Sequence, residues 1–241
     1  MPLAEVSRAP RSIVALGVLA LALALAGPSA ASPDPEPPYP LDTIARSVAP
    51  RGRFQCPKVD LVDYRGDTLK YEPSVRVFSG FSDRLKKFEQ VVAQVARATY
   101  GRPPTRIVNL GTFTCRRMAA YPDWISEHGL GNAIDVAGFD FGPLPKDAPL
   151  PAGLPASFRN GFEVRVLSHW SGKTRDAAVH ARFLKTLARR LIGRKDVFRV
   201  LLGPGYPGHQ NHFHFDMAPF TLVQIFEDGK VLTPLPAPST P

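Results

Sequence analysis

Between Gly208 and Met217 the chain reads Gly-His-Gln-Asn-His-Phe-His-Phe-Asp-Met. From His212 onward a polar side chain alternates with an apolar one. Successive side chains of a strand point to opposite faces. The pattern therefore predicts a strand over His212–Met217, with His212, His214 and Asp216 on one face and Phe213, Phe215 and Met217 on the other. The aromatic face requires a core to cover it. The imidazole face suits a metal platform, because a strand holds its side chains rigidly toward a cleft. Taken alone, a His-x-His face is as easily a solvated one.

The rest of the chain supplies elements to pack on that strand. Ser82 can cap a helix running to about Tyr100, with Leu85, Phe88, Val92, Val95 and Ala96 on one face and Gly101 ending it. Thr174–Leu191 predicts a second helix, with Phe183, Leu184, Leu187 and Leu191 inward. Strands are expected at Tyr71–Val77, Arg106–Leu110, Asn132–Phe139, Phe162–Val166 and Val197–Leu202, and Asp228-Gly229 predicts a late hairpin. Helices and strands interleave without regular βαβ units. The expected fold is α+β, a single domain with a small antiparallel sheet flanked by helices. Proline removes a backbone donor, so the 26 prolines must gather in irregular stretches. One is Gly142–Ser157, with five of them, a loop that either borders the cleft or is a plain surface insertion.

The first 31 residues read as a secretory leader. Arg8 and Arg11 precede an apolar run from Ile13 to Ala26, and small residues follow up to a cleavage point before Ser32. The run is short for a membrane span of about 20 residues. Residues 32–55 read as a proline-rich linker and N-terminal extension, 56–231 as the domain, and 232–241 as a proline-rich tail. Hydrophobic residues at 44% and charged residues at 21% exclude wholesale disorder. The net charge of +9 falls to +8 once the leader takes away Arg8, Arg11 and Glu5. That favours an anionic partner. The charge by itself does not choose among a cell-envelope polymer, a membrane surface and nucleic acid, and no membrane span is expected once the leader is removed. Cys56 and Cys115 form an even pair, which in an oxidising compartment predicts a disulfide.

A second polar cluster is Ser126-Glu-His128-Gly-Leu-Gly131-Asn-Ala-Ile-Asp135. The glycines allow a sharp turn between His128 and Asp135. Asp135 then lies on a strand between small Ala133 and Ala137, which leave room for an ion, while Ile134 and Val136 face the core. Together the two clusters offer two imidazoles and one carboxylate as zinc ligands, with histidines to spare for proton transfer. Three protein ligands and an open position describe a catalytic zinc site. His180, inside an amphipathic helix, reads as structural or solvated, and His169-Trp170 as either a cleft lining or a strand-end packing pair.

SEHGLGNAID followed by HFHFD resembles the SxHxxGxAxD…HxH signature of the D-alanyl-D-alanine metallopeptidase and murein endopeptidase superfamily. More closely, LGTFTCRR, SEHGLGNAIDVAGF and VLLGPGYPGHQNHFHFDMA are similar to the bacterial extensin-like C-terminal domain family, from about Val75 to Met217. The resemblance implies a zinc hydrolase acting on peptidoglycan peptides, an endopeptidase or a carboxypeptidase. By motif position it implies His128, Asp135 and His214 as metal ligands and His212 as the catalytic histidine, with His209 also in the site. It places Arg116 at the substrate carbonyl, with Arg117 a near-equal candidate. Where other branches carry an acidic base, this chain has Gln210 and Asn211, so histidine must serve. The other reading is a non-catalytic wall-binding domain that keeps the metal for stability.

Overall fold

A computed structural model of the chain describes residues 38–235. The expected leader, most of the proline linker and the end of the tail lie outside the described residues. The strands are β1 (Leu61–Tyr64), β2 (Lys70–Glu72), β3 (Val75–Phe78), β4 (Arg106–Gly111), β5 (Ala133–Phe141), β6 (Phe162–Arg165), β7 (Val200–Leu202), β8 (Phe213–Asp216), β9 (Leu222–Gln224), β10 (Phe226–Glu227) and β11 (Lys230–Val231). The helices are α1 (Ser79–Tyr100), α2 (Val166–His169) and α3 (Arg175–Ile192). No helix among the described residues is long and apolar enough to cross a membrane.

The fold is a mixture of helix and sheet, as expected, but its sheet is larger and less uniform than the sequence suggested. Seven strands join in the order β2-β4-β5-β8-β7-β9, with β6 also paired to β5. The centre is antiparallel, whereas β2–β4 and β7–β9, at the two edges, are parallel. The β2–β4 pair is joined through β3 and α1, the long crossover that parallel neighbours need. The stretch expected as one strand over Tyr71–Val77 divides into β2 and β3 at a cis Glu72–Pro73 bond, and β3 pairs instead with β1.

β5 organises the sheet. Its Asp135–Asp140 stretch runs beside β4. On its other side the first half pairs with β8 and the second half with β6. Pairing with β4 passes from Val108–Gly138 to Asn109–Val136, leaving Ala137 as the extra residue of a bulge. The bulge resets the alternation, so Ile134, Val136, Phe139 and Phe141 all enter one core.

Helix α1 starts at Ser79, four residues earlier than a Ser82 cap implies, and the Ser82 hydroxyl donates to the Ser79 carbonyl instead of capping. Gly101 ends the helix in the left-handed region, at φ 74°. Thr174 does cap α3, its hydroxyl accepting from the Ala177 amide. α1 packs against α3, and the expected apolar faces of both are buried. Phe215 of β8 meets Phe88 of α1 and stacks on Phe198, while Phe213 meets Trp170. Burial of each such ring stabilises the fold by roughly 1.5–3 kcal/mol. Tyr39 and Leu41, from the expected extension, and Leu232, from the expected tail, belong to the same core. The Asp228-Gly229 turn joins β10 and β11, both residues at positive φ.

Candidate metal centre

His128 sits in a single 3-10 turn, Glu127–Leu130, that ends on Gly131 at φ 60°. A Cβ on Gly131 would lie 2.8 Å from the Phe78 amide nitrogen, so the close approach and the left-handed backbone both call for glycine. A buried network holds the turn. Glu127 is paired with Arg46 and accepts from Asn132 Nδ2 at 2.6 Å, and Tyr39 donates to Asn132 Oδ1 at 2.5 Å. Burial, the largest influence, pushes the Glu127 carboxyl up, and Arg46 and Asn132 oppose it.

Asp135 and His214 face each other as register partners on β5 and β8. His128 Nε2 lies 3.1 Å from His214 Nδ1 and 3.3 Å from Asp135 Oδ2, and His214 Nδ1 lies 2.9 Å from Asp135 Oδ1. The outer nitrogens are engaged behind them. His128 Nδ1 donates to the Thr112 carbonyl at 2.6 Å, and His214 Nε2 donates to Asp216 Oδ2 at 2.8 Å. Asp216 Oδ1 in turn accepts from the Ala218 amide. A carbonyl and a carboxylate can only accept, so each donor nitrogen keeps its proton there. The inner nitrogens then present lone pairs to one another beside a carboxylate. That arrangement calls for a positive charge at its centre, a proton or a metal ion. One ligand atom from each of the three residues lies within 4.8 Å of the others.

The electrostatics carry the same pull. Burial alone would raise the Asp135 carboxyl, yet hydrogen bonds from His128 and His214 outweigh it and hold the group well below the usual carboxylate range. Burial would lower His214, but Asp135 and Asp216 hold it up to about 9. A metal held there would compete with a proton at His214 Nδ1 and release it on binding.

His212 stands at the edge of the cluster, its Nε2 3.6 Å from Asp135 Oδ1. Its Nδ1 lies 2.8 Å from Asn211 Oδ1, which leaves Nε2 as a base. Partial burial lowers its pKa from the ordinary histidine value. The His209 ring is 5.0 Å from that of His212 and 5.9 Å from that of His214. Its Nδ1 donates to the Pro207 carbonyl. Burial lowers its pKa, and the charge of Arg116 adds to the effect. The two arginines separate. Arg117 donates to the Ala49 and Gly52 carbonyls and covers the Phe54 ring, holding the 49–54 stretch. Arg116 is exposed, and its charge acts on His209.

The sequence-derived residues His128, Asp135, His214, His212 and His209 thus converge from three separate segments. Two partners were not assigned. Asp216 was visible as the next residue on the His214 face, but its role as the acceptor behind that imidazole follows only from the folded geometry. The Thr112 carbonyl carries no side-chain signal at all. His180 lies away from the site, among Tyr100, Phe158 and Phe162, as a structural residue.

Cys56 and Cys115 are bonded, their Cα atoms 5.7 Å apart. Residues 42–143 match the family model of the extensin-like protein C-terminus, which supports the extensin-like family. That match takes in His128 and Asp135 and stops short of His209, His212 and His214. Comparisons with curated proteins and with solved structures found no match.

Proposed function

We propose that the protein is an exported zinc-dependent peptidase that cleaves peptide bonds of peptidoglycan. The observation that carries this reading is the convergence of His128 Nε2, Asp135 and His214 Nδ1, with both imidazoles backed by acceptors and a further imidazole base beside them. The donor set fits the ion: two nitrogens and one oxygen, oriented from behind, are the chemistry of a three-ligand zinc site.

His128, Asp135 and His214 would hold the metal. Bound there, Zn²⁺ supplies a Lewis acid that acidifies water and polarises a carbonyl. The chain's own residues do the rest. His212 Nε2 accepts the proton of the attacking water and passes it to the leaving amine, burial favouring the neutral imidazole that a base requires. His209 shares that proton through its free ring nitrogen. Arg116 offsets the charge that develops on the substrate oxygen. The leader expected over 1–31, the bonded cysteines and the basic charge support an envelope location. The family match and the motif resemblance support wall peptide as substrate.

The test is muropeptide analysis of purified peptidoglycan after digestion by zinc-loaded protein. New free amino termini in the peptide stems, lost on chelation and restored by zinc, are the expected result. Retained zinc with no cleavage would instead favour a wall-binding domain whose metal is structural.

A further inference from the structure

A groove of about 460 Å³ lies beside the histidine loop, and nothing in the chemistry above uses it. Leu167, Trp170, Pro204 and Phe226 supply its apolar walls. Ser171, Gln210 and Asp228 supply its polar groups. It adjoins the candidate metal centre through two links. Gln210 sits between His209 and His212 in the chain, and the Trp170 ring packs edge-on to Phe213 on the core face of β8, behind the strand that carries His214. Trp170 is held by a hydrogen bond from its Nε1 to the Phe226 carbonyl at 3.1 Å. Leu167, by contrast, is 70% exposed on the one-turn helix α2, a large apolar side chain presented to solvent at the mouth of the groove.

The charge of the lining narrows its ligand. In a chain with 30 lysines and arginines, none of the described residues lining this groove is a cation, and one is a carboxylate. An anionic ligand is disfavoured there. Apolar walls with a few convergent neutral donors and acceptors suit an uncharged ligand that has both a C–H face and a hydrogen-bonding edge. A pyranose ring is such a ligand, and an acetamido group adds a methyl for Leu167 and an amide for Gln210.

We propose that this groove binds an N-acetylated amino sugar, so that a glycan strand lies alongside the peptide site. The choice of an amino sugar rests on the wall-polymer reading above. Binding at the groove is measurable without it.

The experiment titrates the mature chain with a β-1,4-linked N-acetylglucosamine tetramer, read by NMR shifts of the Trp170 indole and by calorimetry, with cellotetraose as the sugar lacking acetamido groups. The tetramer is expected to bind and to perturb Trp170. Leu167→Asp should weaken it about tenfold or more, the loss of an apolar contact and the gain of a charge. Gln210→Ala should weaken it less, and serves as the second variant should Leu167→Asp fail to fold. Both variants are expected to keep their zinc. No binding, binding indifferent to both substitutions, or equal binding of cellotetraose overturns the proposal. Peptide cleavage without tetramer binding removes the groove assignment and leaves the peptidase. Tetramer binding without zinc or cleavage does the reverse.

Discussion

The sulfur of Cys56 lies against Gly129, so close that a Cβ on Gly129 would come within 2.7 Å of it and within 2.8 Å of Ile125 Cγ2. Gly129 follows His128 directly, and the disulfide therefore presses on the turn that carries a candidate ligand. Its other half, Cys115, lies three residues from Thr112, whose carbonyl takes the His128 Nδ1 proton. Gly129→Ala is expected to cost about 1–3 kcal/mol by overpacking and to weaken zinc binding. Replacing both cysteines by serine removes up to about 4 kcal/mol of stability and loosens the same turn. Chemical denaturation beside competitive zinc titration reads both effects. Unchanged zinc affinity in a folded double variant would separate the disulfide from the site.

One Zn²⁺ per chain is expected in protein purified without chelator, by elemental analysis. His214→Ala should lose the metal and the stabilisation that a bound ligand confers. Asp216→Ala should keep the fold and weaken zinc binding roughly 10–100-fold, because it orients the ligand without touching the ion. A metal-free wild-type chain whose stability ignores added zinc would rule the site out.

His212 and His214 are expected to separate cleanly. His212→Ala retains zinc and loses roughly 10²–10⁴ in peptide cleavage, the usual worth of a general acid–base. His209→Ala should fall between it and wild type, since His209 stands farther out on the loop. Zinc stoichiometry and cleavage rate, measured on the same preparations, decide this. Loss of zinc from His212→Ala with retention in His214→Ala would reverse the two roles.

Arg46 secures the His128 turn from behind. Arg46→Ala leaves Glu127 buried without its cation, and the expected loss is about 3–5 kcal/mol. Adding Glu127→Gln should recover part of it, because the stranded charge is then gone. A double variant no more stable than Arg46→Ala would show that packing, and not charge, is what Arg46 supplies.

His180 supplies a pH dependence away from the site. Its Nδ1 lies 2.9 Å from the Tyr100 hydroxyl, and its ring lies 4.7 Å from that of His169. Burial first, and then the neighbouring His169, lowers its pKa from 6.5 to about 4, with Asp176 opposing. The unfolded chain takes up a proton near 6.5 that the folded chain refuses until about 4. The stabilisation is therefore complete above pH 6.5 and is lost as the pH falls through 4. After solvent screening it amounts to at most about 2 kcal/mol. Urea unfolding from pH 7 to pH 4 should show a shallower slope for His180→Phe than for wild type. Parallel slopes would contradict it.

Much of the fold was legible because it rests on local periodicity. The apolar stripes of α1 and α3, the Gly101 stop, the Asp228-Gly229 turn and the two faces of Phe213–Asp216 all depend on residues a few positions apart. The short strands were harder. β7 falls within the strand expected at Val197–Leu202, but β9, with three residues, is too short for alternation to register, so the parallel edge it makes with β7 could not be seen. The bulge at Ala137 was equally hidden, because it exists only in the pairing of β5 with β4.

The sequence by itself determined which chemical groups stand where along the chain: imidazoles at 128, 209, 212 and 214, a carboxylate at 135, and glycines that let the backbone turn between them. Tertiary structure alone decided how those groups are paired. The Thr112 carbonyl behind His128 and the choice of Arg117 over Arg116 as the prop of the 49–54 stretch are contacts between a side chain and a backbone carbonyl of a segment distant in sequence. Such contacts leave no periodic trace. They follow from how β4, β5 and β8 align, and that alignment is set by the burial of the whole core.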